Sequence, residues 1–476
     1  MNFSIEHIKP RKIFAALIII FAVFYASQIS FFTSRADVLA FACRSDSETP
    51  ILKYAFLNDS TLLDQPALPN YHLGHTLALW LVYEIMPFGL DKTIYPAGLV
   101  SAISGAFIVG FTFLIWLNLG LSRKKSLIIS VVTGLVPTIW FHSTFGEVYA
   151  LQFAFILWFT YAFLRENIPL AIFTFLIANL ISPVSALSFS FIFLAGWNKK
   201  VFRNAFIVGA VSLAIYVVIY ILIGSNLLNL INPLGTEVEG RSFFYRILVL
   251  GFFIAINFNF FLLYLYKGFF QSFSNDKTLT YKVLLAIAPQ LLLLFLGSTF
   301  FIELGSFQIP LFWGLAFFTG SFIAEANLGL KKLAMPFWGT VILTIFLWKV
   351  PDITTGIDRH DAGVWLKGKG LETKFIGDWN TSVGVILAKE EMGLKYLIKN
   401  YYDCPFPGEK DIQMTHEDSL LIIAGKKDIV RQYLAKLPIK GLQLENYNPS
   451  EKIKTGKTEK LYENKSLVIY LWTKNN

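Results

Sequence analysis

Up to about residue 350 the chain is a succession of apolar runs, each about 15 to 25 residues long and interrupted by few charges. A run of that length matches the roughly 30 Å hydrocarbon core of a bilayer when wound as an α-helix. Hydrocarbon offers the backbone no hydrogen-bond partners, so such runs must satisfy their own peptide groups as helices packed on helices. Composition agrees: of 476 residues, 55% are hydrophobic, 16% aromatic and only 15% charged, against roughly 25% charged in ordinary soluble domains. The expected fold class is therefore an α-helical polytopic membrane protein, with the membrane part in residues 1–350. Residues 351–476 change character and read as a small soluble α/β domain. There "KFIGDWNTSVGVILAKE" and "DSLLIIAG" pattern as strands, "KKDIVRQYLAKL" as a helix and "KSLVIYLWTK" as a last strand. The stretch near "NPSEKIKTGKTEK" reads as a polar loop.

The basic residues orient the chain. Lys9, Arg11 and Lys12 place the N-terminus in the cytoplasm, so the first span, about 13–32, leads to an outer loop over 33–93. Its apolar run is too long for a signal-peptide core, and it is expected to be retained. Inside the loop, "YHLGHTLALWLVYEIMPFG" is expected to lie along the membrane surface without crossing. His72, His75 and Glu84 then stay wet, and Arg123, Lys124 and Lys125 fall inside. "IPLAIFTFLIANLISPVSALSFSFIFLAGW" keeps Lys199, Lys200 and Arg203 inside only as two short helices meeting near Ser182 and Pro183. The other spans are expected near 94–117, 124–141, 147–164, 203–224, 243–266, 281–297, 308–325 and 333–350. The total is about eleven transmembrane helices, with the 351–476 domain extracytoplasmic, in a multi-pass protein of the inner (cell) membrane. The net charge of +9 follows from this loop asymmetry and does not indicate nucleic acid. Cys43 and Cys404 form neither a metal pattern nor a disulfide framework, though a single bridge between them stays open.

Polar residues gather on the predicted outer side. "WFHSTFGEVYALQF" puts Glu147 at the start of a membrane helix, where facing lipid would cost about 2 to 4 kcal/mol. Asp37 lies a few residues after the first span, and His72, His75 and His142 lie on the same side. Each has a plain structural reading as well. Asp37 could cap a helix, Glu147 could answer a helix dipole, and the histidines could sit at the interface. An H-x-x-H spacing needs a third ligand before it holds a metal.

Taken in order, these features resemble the protein O-mannosyltransferase-like branch of the GT-C superfamily of membrane glycosyltransferases. Trp140, Glu147, Val148, Tyr149, Ala150 and Leu151 match the family's Trp and Glu-Val-Tyr-Ala-Leu motif; Pro69, Tyr71 and Leu73 match part of its interfacial-helix motif. Ala67, Asn70 and His72 depart from the latter. The resemblance covers roughly residues 10 to 200 and implies a GT-C-like fold that transfers a sugar, mannose or a similar hexose. The donor would be a polyprenyl-phosphate carrier in the bilayer, and the acceptor an extracytoplasmic protein Ser/Thr or a glycan. It implies an inverting reaction with Asp37 as general base and Glu147 as supporting carboxylate. Tyr71, His72, His75, Trp140, His142 and Tyr149 would bind substrate, and Arg241 and Arg246 would steady the leaving phosphate. No cofactor is required by this chemistry; a divalent metal ion on His72, His75 and Glu147 is the one that the residues leave open. Two other classes compete: a transporter or flippase of lipid-linked sugars, and a non-catalytic scaffold.

Overall fold

A computed structural model describes residues 5–29, 72–85, 95–144, 146, 148–222, 243–296, 308–326, 328, 330–346, 358, 361–366, 368–369, 375–377, 418–425, 453, 455–465 and 467–475. The chain divides into two compact units, one holding residues 97–343 with the segments before 30 and around 72–82, the other holding the residues from 344 on.

The first unit is helical. Its helices are α1 (Pro10–Ala26), α2 (Leu73–Ile85), α3 (Tyr95–Asn118), α4 (Arg123–Leu135), α5 (Pro137–His142), α6 (Val148–Leu164) and α7 (Ile168–Ile181). After a 3-10 helix over Pro183–Ala195 come α8 (Lys199–Leu222), α9 (Phe243–Phe258), α10 (Leu262–Asn275), α11 (Lys277–Leu296), α12 (Ile309–Glu325) and α13 (Leu330–Thr344). By length and composition, three of the described helical stretches can cross a bilayer: Tyr95–Asn118, Lys199–Leu222 and the run Leu250–Asn275.

Many of the hydroxyls that these helices bury are satisfied within their own helix. Ser104, Thr112, Ser130, Thr133 and Thr160 each donate to the carbonyl four residues back, at 2.6–2.9 Å, the device that an apolar surround requires. Packing is close. A Cβ on Gly134 of α4 would come within 2.4 Å of the Phe21 ring, and Tyr25 of α1 donates its hydroxyl to the Gly134 carbonyl at 2.7 Å. At the centre, the Trp116 and Trp313 rings stack at 4.8 Å, and Trp313 Nε1 donates to Thr112 Oγ1 at 2.9 Å.

The segments that join α3 to α4, α6 to α7, the 3-10 helix to α8 and α10 to α11 meet at one end. Gly120, at φ +92, closes α3, with Leu121 N–H bonded to the Trp116 carbonyl and Gly120 N–H to that of Leu117; Ser122 then caps α4 through Lys125 N–H. Glu325 at the end of α12 pairs with Lys125 and accepts from Gln271 and Asn275, each at 2.7 Å. A cavity of about 420 Å³ lies among Asn118–Gly120, Leu164, Glu166, Asn198, Lys200 and Lys282, with Lys200 paired to Glu166.

Three membrane segments depart from simple spans. The run expected at 243–266 passes through a 3-10 turn over Asn259–Phe261 and continues as α10 to Asn275. The run expected at 124–141 is broken at Val136, because Pro137 starts the new helix α5. The run expected as two half-helices does turn at Ser182, but its second half is 3-10 over 13 residues. At about 2.0 Å rise per residue, against about 1.5 Å for an α-helix, 13 residues reach about 26 Å instead of about 20 Å. The tighter winding thus lets a short segment reach almost across the hydrocarbon. One buried row recurs every third residue, as three residues per turn demand, at Ser185, Ser188, Phe191 and Leu194, with Ser190 and Ile192 buried beside it.

The second unit contains a four-stranded sheet of β1 (Phe375–Gly377), β2 (Ser419–Gly425), β3 (Gly456–Glu463) and β4 (Leu467–Lys474), in the order β1-β2-β4-β3. β1 runs parallel to β2, and both other pairs are antiparallel. Leu420 to Ile423 are all buried, as suits a central strand. Leu421, Ile423, Leu467 and Ile469 pack with Ala362 and Leu366. β3 corrects the expected polar loop near "NPSEKIKTGKTEK". It is a charged edge strand, held by the β4 backbone, with Lys457, Glu459, Lys460 and Glu463 exposed and Leu461 and Tyr462 packed against the core. The helix expected over "KKDIVRQYLAKL" lies outside the described residues.

Candidate active site

The expected site is built around the α5–α6 hairpin. Pro137 sets the first turn of α5, and Val136 before it has no side chain to cap the helix. The cap comes from another helix: Asn257 of α9, itself buried, accepts from Thr138 N–H at 2.8 Å and donates to the Phe253 carbonyl at 2.9 Å. From the start of α5 the chain advances to Trp140 and His142. Ser143 then turns it, donating to the Ile139 carbonyl at 2.6 Å. Gly105 of α3 makes room for that turn, since a Cβ there would lie 2.1 Å from Ser143 Oγ.

The candidate side chains separate into two directions. Trp140, 2% exposed, turns toward α1: its indole N–H donates to Gln28 Oε1 at 2.7 Å, and its ring lies 5.1 Å from that of Phe24. His142, 1% exposed, instead meets Tyr149 of α6 edge-on, with ring centroids 5.3 Å apart. His142 and Tyr149 are thus brought together, while Trp140 belongs to the packing cluster of α1 and α3. His72 Nδ1 lies 2.7 Å from the Ile181 carbonyl. A carbonyl only accepts, so Nδ1 is the donor in this contact. His75 is buried on α2, and Gly74 beside it touches the α7 end so closely that a Cβ would lie 2.9 Å from Ile181 N. Asp37, Tyr71, Glu147 and Arg241, and the side chain of Arg246, lie outside the described residues. Among the described residues no group of three or more His, Cys, Asp or Glu side chains could hold a metal.

Tyr149 starts α6 and Leu164 ends it, so the His142–Tyr149 pair and the cavity at Glu166 stand about 25 Å apart, at opposite ends of the helix. The fold that holds this arrangement is found in solved membrane proteins. ArnT from Cupriavidus metallidurans bound to undecaprenyl phosphate superposes with a TM-score of 0.56 at 11% identity, covering 95% of this chain and 97% of that one. Its apo state gives the same score and identity over 97% of each chain. The apo oligosaccharyltransferase of Archaeoglobus fulgidus gives 0.50 at 9% identity, covering 87% of this chain and 69% of that one. These are GT-C superfamily glycosyltransferases. At such identities the likeness is one of fold. No protein-family model and no curated protein matches the sequence.

Sequence reasoning missed Asn257 and Gln28, although both are amides within or beside apolar runs, the signal that marks a polar group with a task. Replacing Asn257 with leucine should leave the buried Thr138 N–H without its acceptor, a loss of about 1–3 kcal/mol. Hydrogen exchange at the Thr138 amide should then accelerate about tenfold or more, and Asn257→Asp, which keeps an acceptor oxygen, should restore most of the protection. Unchanged exchange in Asn257→Leu would show that α5 holds without this cap.

Proposed function

We propose that the protein is a membrane glycosyltransferase that moves a sugar from a polyprenyl-phosphate carrier to an extracytoplasmic acceptor. The observation that carries this reading is a fold shared nearly end to end with a protein crystallised on undecaprenyl phosphate. The matching Trp140 and Glu-Val-Tyr-Ala-Leu motif supports it, since that motif surrounds the His142–Tyr149 contact. In this reading Asp37 accepts the proton of the acceptor hydroxyl as it attacks the anomeric carbon. The carrier phosphate leaves as a stabilised anion, so no second acid is needed, unlike the hydrolysis of a glycoside. Glu147 orients the acceptor, Arg241 and Arg246 steady the leaving phosphate, and Tyr71, His72, His75, His142 and Tyr149 shape the sugar site. Trp140 contributes from behind, by fixing α5 against α1. The O-mannosyltransferase-like motifs favour a hexose donor and an inverting course.

The test is turnover. Purified protein given undecaprenyl-phosphate sugars should release undecaprenyl phosphate when an acceptor is present; movement of the intact lipid across a vesicle without release would indicate a flippase, and neither event a scaffold. The same reading places the basic end of the bundle in the cytoplasm and residues 351–476, as an acceptor-selecting domain, outside. Reporter fusions should therefore find residue 400 outside and residue 124 inside. A cytoplasmic residue 400 would move the site to the wrong face.

A further inference from the structure

Below Tyr149 the helix core contains a small notch of mixed character, lined by Tyr149, Gln152, Phe153 and Ile156 of α6, Val184 and Ser188 of the 3-10 helix, Gln290 of α11 and Ile309–Pro310 of α12. Its volume is about 10 Å³, the space of one water or one hydroxyl group. Gln290 is 1% exposed, and its Nε2 donates to Ser188 Oγ at 3.1 Å. Its Oε1 has no hydrogen-bond partner among the described residues. Gln308, next to Ile309, is buried with its own Oε1 in the same condition. A buried amide oxygen without a donor is uncommon and costly where water cannot reach. Gln290 Oε1 is therefore an acceptor available to a donor that enters the notch. The backbone around it is irregular. Pro289 withholds a backbone donor from α11, and Ser190 donates to the Ala286 carbonyl one turn below at 2.5 Å.

We propose that this notch is a subsite for a single hydroxyl group of the transferred sugar, with Gln290 Oε1 as acceptor of its proton. The inference rests on the donor reading given above and adds to it the residues that distinguish one sugar from another. Tyr149 is the shared wall: its ring closes the notch on one side and meets His142 on the other. A site that hydrogen-bonds a substrate hydroxyl rejects a sugar lacking it more strongly than an apolar pocket can, because the amide is then left unpaired.

Binding in nanodiscs tests this, with bare undecaprenyl phosphate and a panel of undecaprenyl-phosphate hexoses and pentoses as probes. The wild type should bind at least one sugar-bearing carrier more tightly than the bare one. Gln290→Leu should weaken that sugar carrier about tenfold, as loss of one hydrogen bond predicts, and leave the bare carrier unchanged. Gln290→Glu, which keeps a carbonyl acceptor and serves as the control for folding, should retain most of the sugar preference. Equal affinity of Gln290→Leu and wild type for every sugar carrier would mean the notch holds an ordered water only, and would overturn the inference. Equal weakening of bare and sugar carriers would overturn it too, by making Gln290 a packing residue. Wild-type binding of the bare carrier with no sugar preference removes the inference alone. Binding of neither probe removes the donor reading and this inference together.

Discussion

Replacing Asp37 with asparagine should lower sugar transfer by roughly a hundredfold or more while carrier binding stays intact. Asparagine keeps the shape and polarity of aspartate but accepts no proton at neutral pH. If Asp37 is the base, the attacking hydroxyl must shed its proton to water, and the loss appears in kcat with KM for the carrier nearly unchanged. Glu147→Gln should act differently, raising KM as well as lowering kcat, because a carboxylate that orients the acceptor contributes to both. Near-normal transfer by Asp37→Asn would end its assignment as base, and Asp64, the acid nearest "PNYHLGH", would be the next to test. Abolition of transfer by chelators would bring a divalent cation into the His72 and Glu147 environment.

The second large effect concerns stability. Gly268 of α10 faces α12 so closely that a Cβ would stand 2.0 Å from the Phe318 carbonyl oxygen. Backbone cannot swing aside as a side chain can, so even alanine must push two helices apart. Overpacking usually costs about 1–3 kcal/mol, and this contact belongs at or above the top of that range. Gly268→Ala should therefore lower the thermal midpoint of the purified protein sharply. Gly251→Ala is the control, since nothing described lies within 4 Å of its Cβ; helix propensity alone makes that change neutral or stabilising, by up to about 1 kcal/mol. Equal midpoints for the two variants would refute the tight α10–α12 crossing.

Much of the helical unit was legible because lipid leaves a sequence few choices. The apolar run expected at 94–117 is α3 at 95–118, and the one at 147–164 is α6 at 148–164. The turn at Ser182 was legible from its proline. What could not be read was the winding beyond it, since Ser185, Ser188, Phe191 and Leu194 show a period of three that an apolar run hides. β3 was missed for a related reason: Lys457 to Lys460 carry no hydrophobic signal, and the strand's order comes largely from pairing with β4. In the candidate site, the motif named Tyr149, and the structure sets it against His142. Asn257 and Gln290 were not legible, because each acts on a partner more than a hundred residues away.

The 3-10 segment also bears on how the protein is made. Insertion machinery sorts a nascent chain by the length and apolarity of each stretch that it meets. The 14 residues of α7 and the 13 that follow are each short by that measure, and the second carries three buried serines, of which Ser190 also finds the Leu187 carbonyl of its own segment at 3.1 Å. Ser185 resolves its hydroxyl on the Ala178 carbonyl of α7, Ser188 with Gln290, and Ser190 on Ala286 of α11. Two of those partners emerge from the ribosome about a hundred residues later. The hairpin must therefore enter the bilayer as one unit and wait, serines against water or neighbouring backbone, until α11 arrives to complete it.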